Sequence, residues 1–441
     1  MRDIVVTLFV FAGLIYTIRK PHVGVLLWSW LGYMNPHRLC YGFAYSMPFS
    51  QITALLTMTV MLLSPERKVL PKDILVYLLL LFIVWMGMTT IFAFEAEAAQ
   101  EQYIKILKIQ LPVFLTMMMF NSKERIHQLL WVIVFSLGYF ATKGGVFTLL
   151  TGGAFRVYGP PGSFVEENNA LAIATLMIIP LLVYLRSTLT RKWAKQAALF
   201  SIISMSFSVI GSQSRGAFLA ILVVGGYFWL QSKRKFSTGF MIVLFVGLLA
   251  LLLPESWYER MNTISTFDKD ASAMGRIHAW TMAYNVANQN LFGGGLNLWT
   301  NATYSNYLEG FSSFRQASFV AHSIYFSILG EHGWFGLFLY LLIYAIGWSY
   351  CKSLVKHCDG QAHIQWIADL ARMLKVGLLA YLAGGAFLSL SYFDLPWHFL
   401  AIIILLKEIA KNSEAPEIIE TNKVAEEPSS KLIINEQGIV Q

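Results

Sequence analysis

Charge is scarce in this sequence. Of 441 residues only 13% are Asp, Glu, Lys or Arg, while 56% are hydrophobic; soluble domains carry about 25% charged residues. The deficit excludes most soluble folds. It also excludes a disordered chain, which needs the opposite balance. Cysteine is nearly absent. Cys40, Cys351 and Cys358 are too few for a disulfide framework, and none forms a CxxC pair suited to zinc or redox work. Also missing are the alternating segments of a membrane barrel, a repeat of solenoid period, and the HExxH and GxSxG motifs of hydrolases. Gly293-Gly294-Gly295 has no Lys-Ser/Thr behind it and is not a phosphate loop. The formal charge of +8 would suit nucleic acid in a soluble protein. Here the basic residues lie between apolar runs, which ties them to membrane orientation and to no nucleic acid.

What the chain has in quantity is apolar runs. Crossing the hydrocarbon core takes about 20 apolar residues, and a backbone in lipid must bond to itself, so each run is predicted to be an α-helix. Thirteen candidates are Ile4–Ile18, Val23–Met34, Phe49–Ser64, Ile74–Phe92, Ile104–Phe120, Leu129–Leu150, Ala170–Leu185, Ala197–Ile210, Gly216–Leu230, Phe240–Leu253, Ser323–Tyr350, Val376–Leu390 and Pro396–Leu406. The first two and the last are short, and about twelve helices are expected to span. Ile4–Ile18 has no small-residue cleavage site and does not read as a signal peptide. The fold class is an all-α polytopic integral membrane protein. Its parts are N-terminal transmembrane helices at 1–253, an outward loop domain at 254–321, C-terminal transmembrane helices at 322–411 and a disordered cytoplasmic tail at 412–441.

Lys and Arg in short loops orient such a protein. Arg67, Lys68 and Lys72; Lys123 and Arg125; Arg186 to Lys195; Lys233 to Lys235; and Lys352 to Lys375 mark the cytoplasmic side. The long segment from Pro254 to Ala321 therefore faces outward. Loops beyond about 12–15 residues are usually functional or disordered, and this one is rich in Trp, Tyr and Phe. Residues Arg276–Asn288 have apolar spacing of helical period with a glycine stop beyond, which predicts a helix over the membrane domain. A cap that merely buries lipid-facing surface is the simpler reading.

That reading leaves the choice of cation unexplained. Arg38, Arg156, Arg215, Arg260, Arg276 and Arg315 dominate the outward face, with Lys105, Lys108 and Lys269 as exceptions. Arg stays charged when desolvated and offers a planar fork of donors that fits phosphate; the bland alternative is snorkelling at headgroups. Arg215 stands out within Gly211-Ser212-Gln213-Ser214-Arg215-Gly216, a polar break between two apolar runs, where a helix starting near Gly216 would turn its positive end outward to an anion. His322 sits where an apolar helix meets the outward loop. It is either a capping group or a base able to take a proton from a hydroxyl. Tyr325 follows at i+3 on the same face; Glu331 and His332 read as packing or orientation partners. Glu166-Glu167-Asn168-Asn169 reads first as a helix cap and second as a substrate contact. Lys105 and Lys108 suit either phosphate or an interfacial turn. Asp268-Lys269-Asp270 has metal–phosphate spacing, but a lone DxD is common, and no metal is expected.

Taken in order, Gln213-Ser214-Arg215-Gly216, Met274-Gly275-Arg276 with Trp280, Leu291-Phe292-Gly293-Gly294-Gly295-Leu296, Ala321-His322-Ser323 and Leu329-Gly330-Glu331-His332-Gly333-Trp334 resemble the O-antigen ligase and polymerase superfamily. Gly32-Tyr33-Met34-Asn35-Pro36 is similar to its O-glycosylation ligase branch. The resemblance implies a GT-C-like glycosyltransferase of the bacterial inner membrane that needs no cofactor or metal. Such enzymes take an undecaprenyl diphosphate-linked glycan donor and usually a lipid A–core acceptor from among the membrane lipids. It carries the family's catalytic Arg, Arg and His onto Arg215, Arg276 and His322. Gln213, Ser214, Tyr325, Arg156, Lys105 and Arg315 are expected to contact diphosphate or glycan. The alternatives are a polymerase or a protein O-oligosaccharyltransferase of the same superfamily, and, from another class, a lipid-linked glycan transporter. Transporters carry polar groups near the midplane; here Lys143 is the main one, and the other candidate groups lie at the outer edge.

Overall fold

A computed structural model describes residues 1–66, 68–232, 234–237, 239–240, 243–244, 247, 271–311 and 318–425, with the backbone alone at 271–273 and 414–425. Every regular element among them is helical. In order they are α1 (Arg2–Arg19), α2 (Pro21–Met34), two 3-10 turns (Pro36–Leu39, Phe43–Tyr45), α3 (Phe49–Leu63), α4 (Ile74–Ile91), α5 (Ala96–Met119), α6 (Lys123–Leu150), α7 (Asn168–Thr188), α8 (Lys192–Gly211), α9 (Arg215–Gln231), α10 (Ala271–Gln289), α11 (Asn301–Tyr307), α12 (Ile324–Cys358), α13 (Gln365–Gly385) and α14 (Asp394–Ala425).

Among the described residues, α4, α6, α7, α8 and α12 are long and apolar enough to cross a membrane, and α3 and α9 are apolar but shorter. The protein is a multi-pass membrane protein, although length and composition do not establish the expected figure of about twelve spans. Phe240–Leu253 lies mostly outside the described residues. Large side chains left exposed on the outer helices, among them Leu8, Leu62, Phe135, Trp193 and Phe338, give the body the apolar surface that lipid demands. Helix ends follow local chemistry. Asp73, Ser122, Ser214 and Ser323 each accept a first-turn N–H of the helix they precede, and Pro21 opens α2. The helix α14 does not stop at Asn412, where the disordered tail is expected, but runs to Ala425.

The core lies where α13 packs between α7 and α12, with α14 against both α12 and α13. Trp397, Phe399, Tyr340, Tyr344 and Tyr381 are fully buried there, and the Tyr340 and Tyr381 hydroxyls bond at 2.6 Å. On the other side α6 meets α8 through small residues. A methyl group on Gly145 would strike the Ser204 carbonyl, and Ser204 donates to the Thr142 carbonyl at 2.8 Å, a close crossing of the kind lipid-embedded helices use.

One helix is broken. In α12, Gly333 has φ 69 and ψ −174, outside helical geometry. The break costs the preceding carbonyls their usual partners four residues on, and a backbone in lipid cannot leave them bare. Gly294 N–H reaches the Gly330 carbonyl at 2.8 Å and Gly295 N–H the Glu331 carbonyl at 3.0 Å. The Trp85 indole of α4 serves the His332 carbonyl at 2.9 Å. The segment after α10 is thereby sewn into α12.

Candidate active site

The turn between α8 and α9 carries Arg215. Ser212, Gln213 and Ser214 are buried. Gln213 has φ 52, a left-handed conformation uncommon for a side-chain-bearing residue, and its amide donates to the Gly153 carbonyl at 3.0 Å. The Asn168 amide donates to the Ser212 carbonyl at 2.6 Å. Ser214 caps α9 through Ala217 N–H at 3.1 Å, so α9 begins at Arg215, one residue before the expected start. These bonds spend the side chains of Gln213 and Ser214 on holding the turn. They leave the half-buried Arg215 at the positive end of a helix.

The helix α10 brings Arg276. It starts at Ala271 and ends at Gln289, enclosing the expected Arg276–Asn288. One turn beyond Arg276, the Trp280 indole donates to the Ala321 carbonyl at 2.8 Å, stacks on Phe326 with ring centroids 5.0 Å apart and lies 6.3 Å from Phe387. Phe387 also borders α9, since a methyl group on Gly216 would lie 3.4 Å from its Cβ. A continuous set of contacts therefore joins the Arg215 end of α9, the Arg276 end of α10 and the segment carrying His322.

His322 is not a helix cap. Ser323 fills that place, accepting from Phe326 N–H, and His322 stands before it with φ 44. Strained backbone of this kind persists only where its surroundings fix it, and it clusters at functional sites. Here Tyr304 grips the Phe319 carbonyl at 2.6 Å and Ser391 the Ile324 carbonyl at 3.3 Å. Burial, then the positive charge of Arg276, hold the imidazole below its ordinary 6.5, against a raising pull from Glu167. His322 is thus neutral near pH 7, the form able to accept a proton.

The other candidates fare unevenly. The Tyr325 hydroxyl donates to the Leu382 carbonyl at 2.8 Å, which packs α12 on α13. Arg156 is exposed between α6 and α7, and Lys105 and Lys108 are exposed on α5. Arg38 is exposed over the Tyr45 ring, 4.7 Å from its centroid. Arg315, Arg260, Lys269 and the Asp268–Asp270 pair lie outside the described residues. The capping expected of Glu166–Asn169 does not occur. Glu166 accepts from Gly162 N–H at 2.8 Å, Glu167 makes no capping bond, and Asn168 ties α7 to the α8–α9 turn. Among the described residues no three of His, Cys, Asp or Glu converge to hold a metal ion. Sequence reasoning missed Phe387, which carries no motif, and the pull of Glu167 on His322, for which the nearest signal was a carboxylate pair read as a helix cap.

Residues 197–341 match the family model described as O-antigen ligase, a stretch that contains Arg215, Arg276 and His322. This match supports membership of the O-antigen ligase and polymerase superfamily. Members of the matching family are glycosyltransferase-like enzymes, which in general use lipid-linked glycans and lipid acceptors. Residues 1–190 match a family of unknown function, DUF5935. No curated protein matches the chain.

Proposed function

We propose that the protein is an O-antigen ligase of the bacterial inner membrane. It transfers a glycan from undecaprenyl diphosphate to lipid A–core oligosaccharide at the periplasmic face, with inversion and without a metal ion. The reading rests on one observation above all: Arg215, Arg276 and His322, distant in sequence, belong to elements that meet through Trp280 and Phe387. Each has a task its chemistry suits. The guanidinium forks of Arg215 and Arg276 hold the diphosphate and stabilise the charge that grows on it as it leaves. Neutral His322 takes the proton from the acceptor hydroxyl. The acceptor oxygen bonds to the anomeric carbon, the bond from that carbon to the diphosphate oxygen breaks, and its electron pair departs with the diphosphate. A single displacement from the opposite side inverts configuration; the double displacement that retains it needs a nucleophile such as a carboxylate close to the scissile bond.

The test is transfer by the purified protein in lipid nanodiscs. Undecaprenyl diphosphate-linked glycan is supplied with lipid A–core, alone, or with a pilin-type protein. Glycan on lipid A–core supports the ligase. Chain growth on the carrier alone would replace it with a polymerase, glycan on the pilin with a protein O-oligosaccharyltransferase, and movement of the carrier glycan without any transfer with a transporter. Full transfer by His322→Ala would remove the proton-acceptor role.

A further inference from the structure

A carboxylate inside a membrane helix is costly and calls for a reason. Glu331 of α12 is buried, and every bond it makes comes from elsewhere in the chain. The Trp299 indole donates to Oε1 at 3.1 Å, the Tyr392 hydroxyl to Oε2 at 2.5 Å, and the Asn297 backbone N–H also donates to the carboxylate. The network goes on. The Tyr392 hydroxyl lies 2.7 Å from His332 Nε2, and His332 Nδ1 lies 2.7 Å from the Thr89 hydroxyl of α4. Tyr392 has one proton and gives it to Glu331, so His332 donates to the Tyr392 oxygen from Nε2. One carboxylate thus gathers the outward segment after α10, the turn before α14 and, through Tyr392 and His332, the outer end of α4.

Glu331 lies nine residues from His322, about 13 Å along a helix at 1.5 Å per residue, too far to touch a substrate held there. Its reach is mechanical. The helix α10 is zipped to α12 at three heights: Trp280 on Ala321 and Phe326 at the top, Ala283 against Gly330 in the middle, and Asn288 accepting from the Trp334 indole at 3.0 Å below. The Glu331 bonds and the Gly294 and Gly295 N–H bonds close the lower end, where α12 is broken. A loose lower end lets α10 slide on α12, and Arg276 and His322 lie on opposite sides of that contact.

We propose that Glu331 is a positioning residue that fixes the separation of Arg276 and His322 by clamping the segment after α10 into the break of α12. The proposal rests on the ligase reading for its catalytic readout and on the fold alone for its structural one.

The test uses the full-length protein in nanodiscs. Glu331→Leu keeps the bulk and removes every side-chain bond; kcat is expected to fall about 100-fold, the usual cost of a displacement near 1 Å. The pH profile adds a readout that mere loss of folded protein would not move. Arg276 and Glu167 are the charged groups that act on His322, so as Arg276 draws away the acid limb moves up toward the ordinary histidine value. In Glu331→Gln the amide oxygen keeps the Trp299 indole N–H, its NH2 donates to Tyr392, and kcat and acid limb return. If Glu331→Leu does not accumulate folded, Trp299→Phe removes one bond and shows the same shifts in smaller measure. Unchanged kcat and acid limb in the folded variants would overturn the proposal. A second readout needs no activity. Gly275 lies 2.9 Å, measured from an added Cβ, from the Phe319 ring, and a Gly275→Cys, Phe319→Cys pair forms a disulfide only while the two segments stay in register. Cross-linking that slows in the Glu331→Leu background supports the clamp, and cross-linking that is unaffected counts against it, even if the unsubstituted protein transfers no glycan and the ligase reading fails.

Discussion

Trp280 donates its indole N–H to the carbonyl of Ala321, 2.8 Å away and one residue before His322. This bond, with the stack of the same ring on Phe326 at 5.0 Å, fastens α10 to the start of α12. Trp280→Phe keeps a ring and loses the bond, worth about 1 kcal/mol. Trp280→Ala also loses the stack and the packing, about 3–5 kcal/mol when a buried Trp is cut to Ala and less for this half-buried one. Transfer by Trp280→Phe is expected to fall several-fold and by Trp280→Ala far more; equal rates for the two would show that the ring adds nothing.

The two arginines are expected to resist conservative exchange. Lys supplies charge without the planar fork, so Arg215→Lys and Arg276→Lys should recover only part of the loss caused by Ala, which is about 10²–10³ in rate for a group that stabilises developing charge. Initial rates with carrier-linked glycan decide this; full activity in either Lys variant would mean that a point charge suffices.

His322→Ala should lower kcat by about 10²–10⁴, the range for a lost proton acceptor. The pH profile carries the sharper expectation. Burial and Arg276 depress the imidazole below 6.5, so activity holds as pH drops to that value and is lost only as it falls through the lowered one. An acid limb at or above 6.5 would contradict the environment described for His322.

Glu167 pulls the His322 value upward. Replacing it by the uncharged Glu167→Gln removes that pull and should move the acid limb to still lower pH. A limb that stays in place, measured beside the parent protein at one ionic strength, would mean that solvent screens this exposed carboxylate.

Gly145→Val tests the scaffold. The added carbons meet the Ser204 carbonyl across the α6–α8 crossing, and overpacking of this kind costs about 1–3 kcal/mol. Thermal unfolding in detergent should register it as a lower midpoint; an unchanged midpoint would show that the helices part freely.

Much of the site is local and so could be read from residue order. Apolar spacing with a glycine stop marks α10, and the small polar break before Arg215 marks the start of α9 to within one residue. What escaped depends on partners remote in sequence. The break at Gly333 is tolerable only because Gly294 and Gly295 fill the bared carbonyls. Glu331 makes sense only with Trp299, 32 residues before it, and Tyr392, 61 residues after. Tyr325 shares a face with His322 in sequence terms, yet its hydroxyl finds the Leu382 carbonyl on α13. That His322 is not the cap is visible only with Ser323 in place, whose hydroxyl takes the capping bond.

Gln213 and His322 share one further property: both keep a left-handed backbone without being glycine. Such a conformation costs of order 1–3 kcal/mol per residue, and that cost is met once, when the chain folds. On the proposed ligase reading, a long-tailed donor arriving sideways from the bilayer would find the turn before Arg215 and the approach to His322 already set, and little of its affinity would have to go into arranging them.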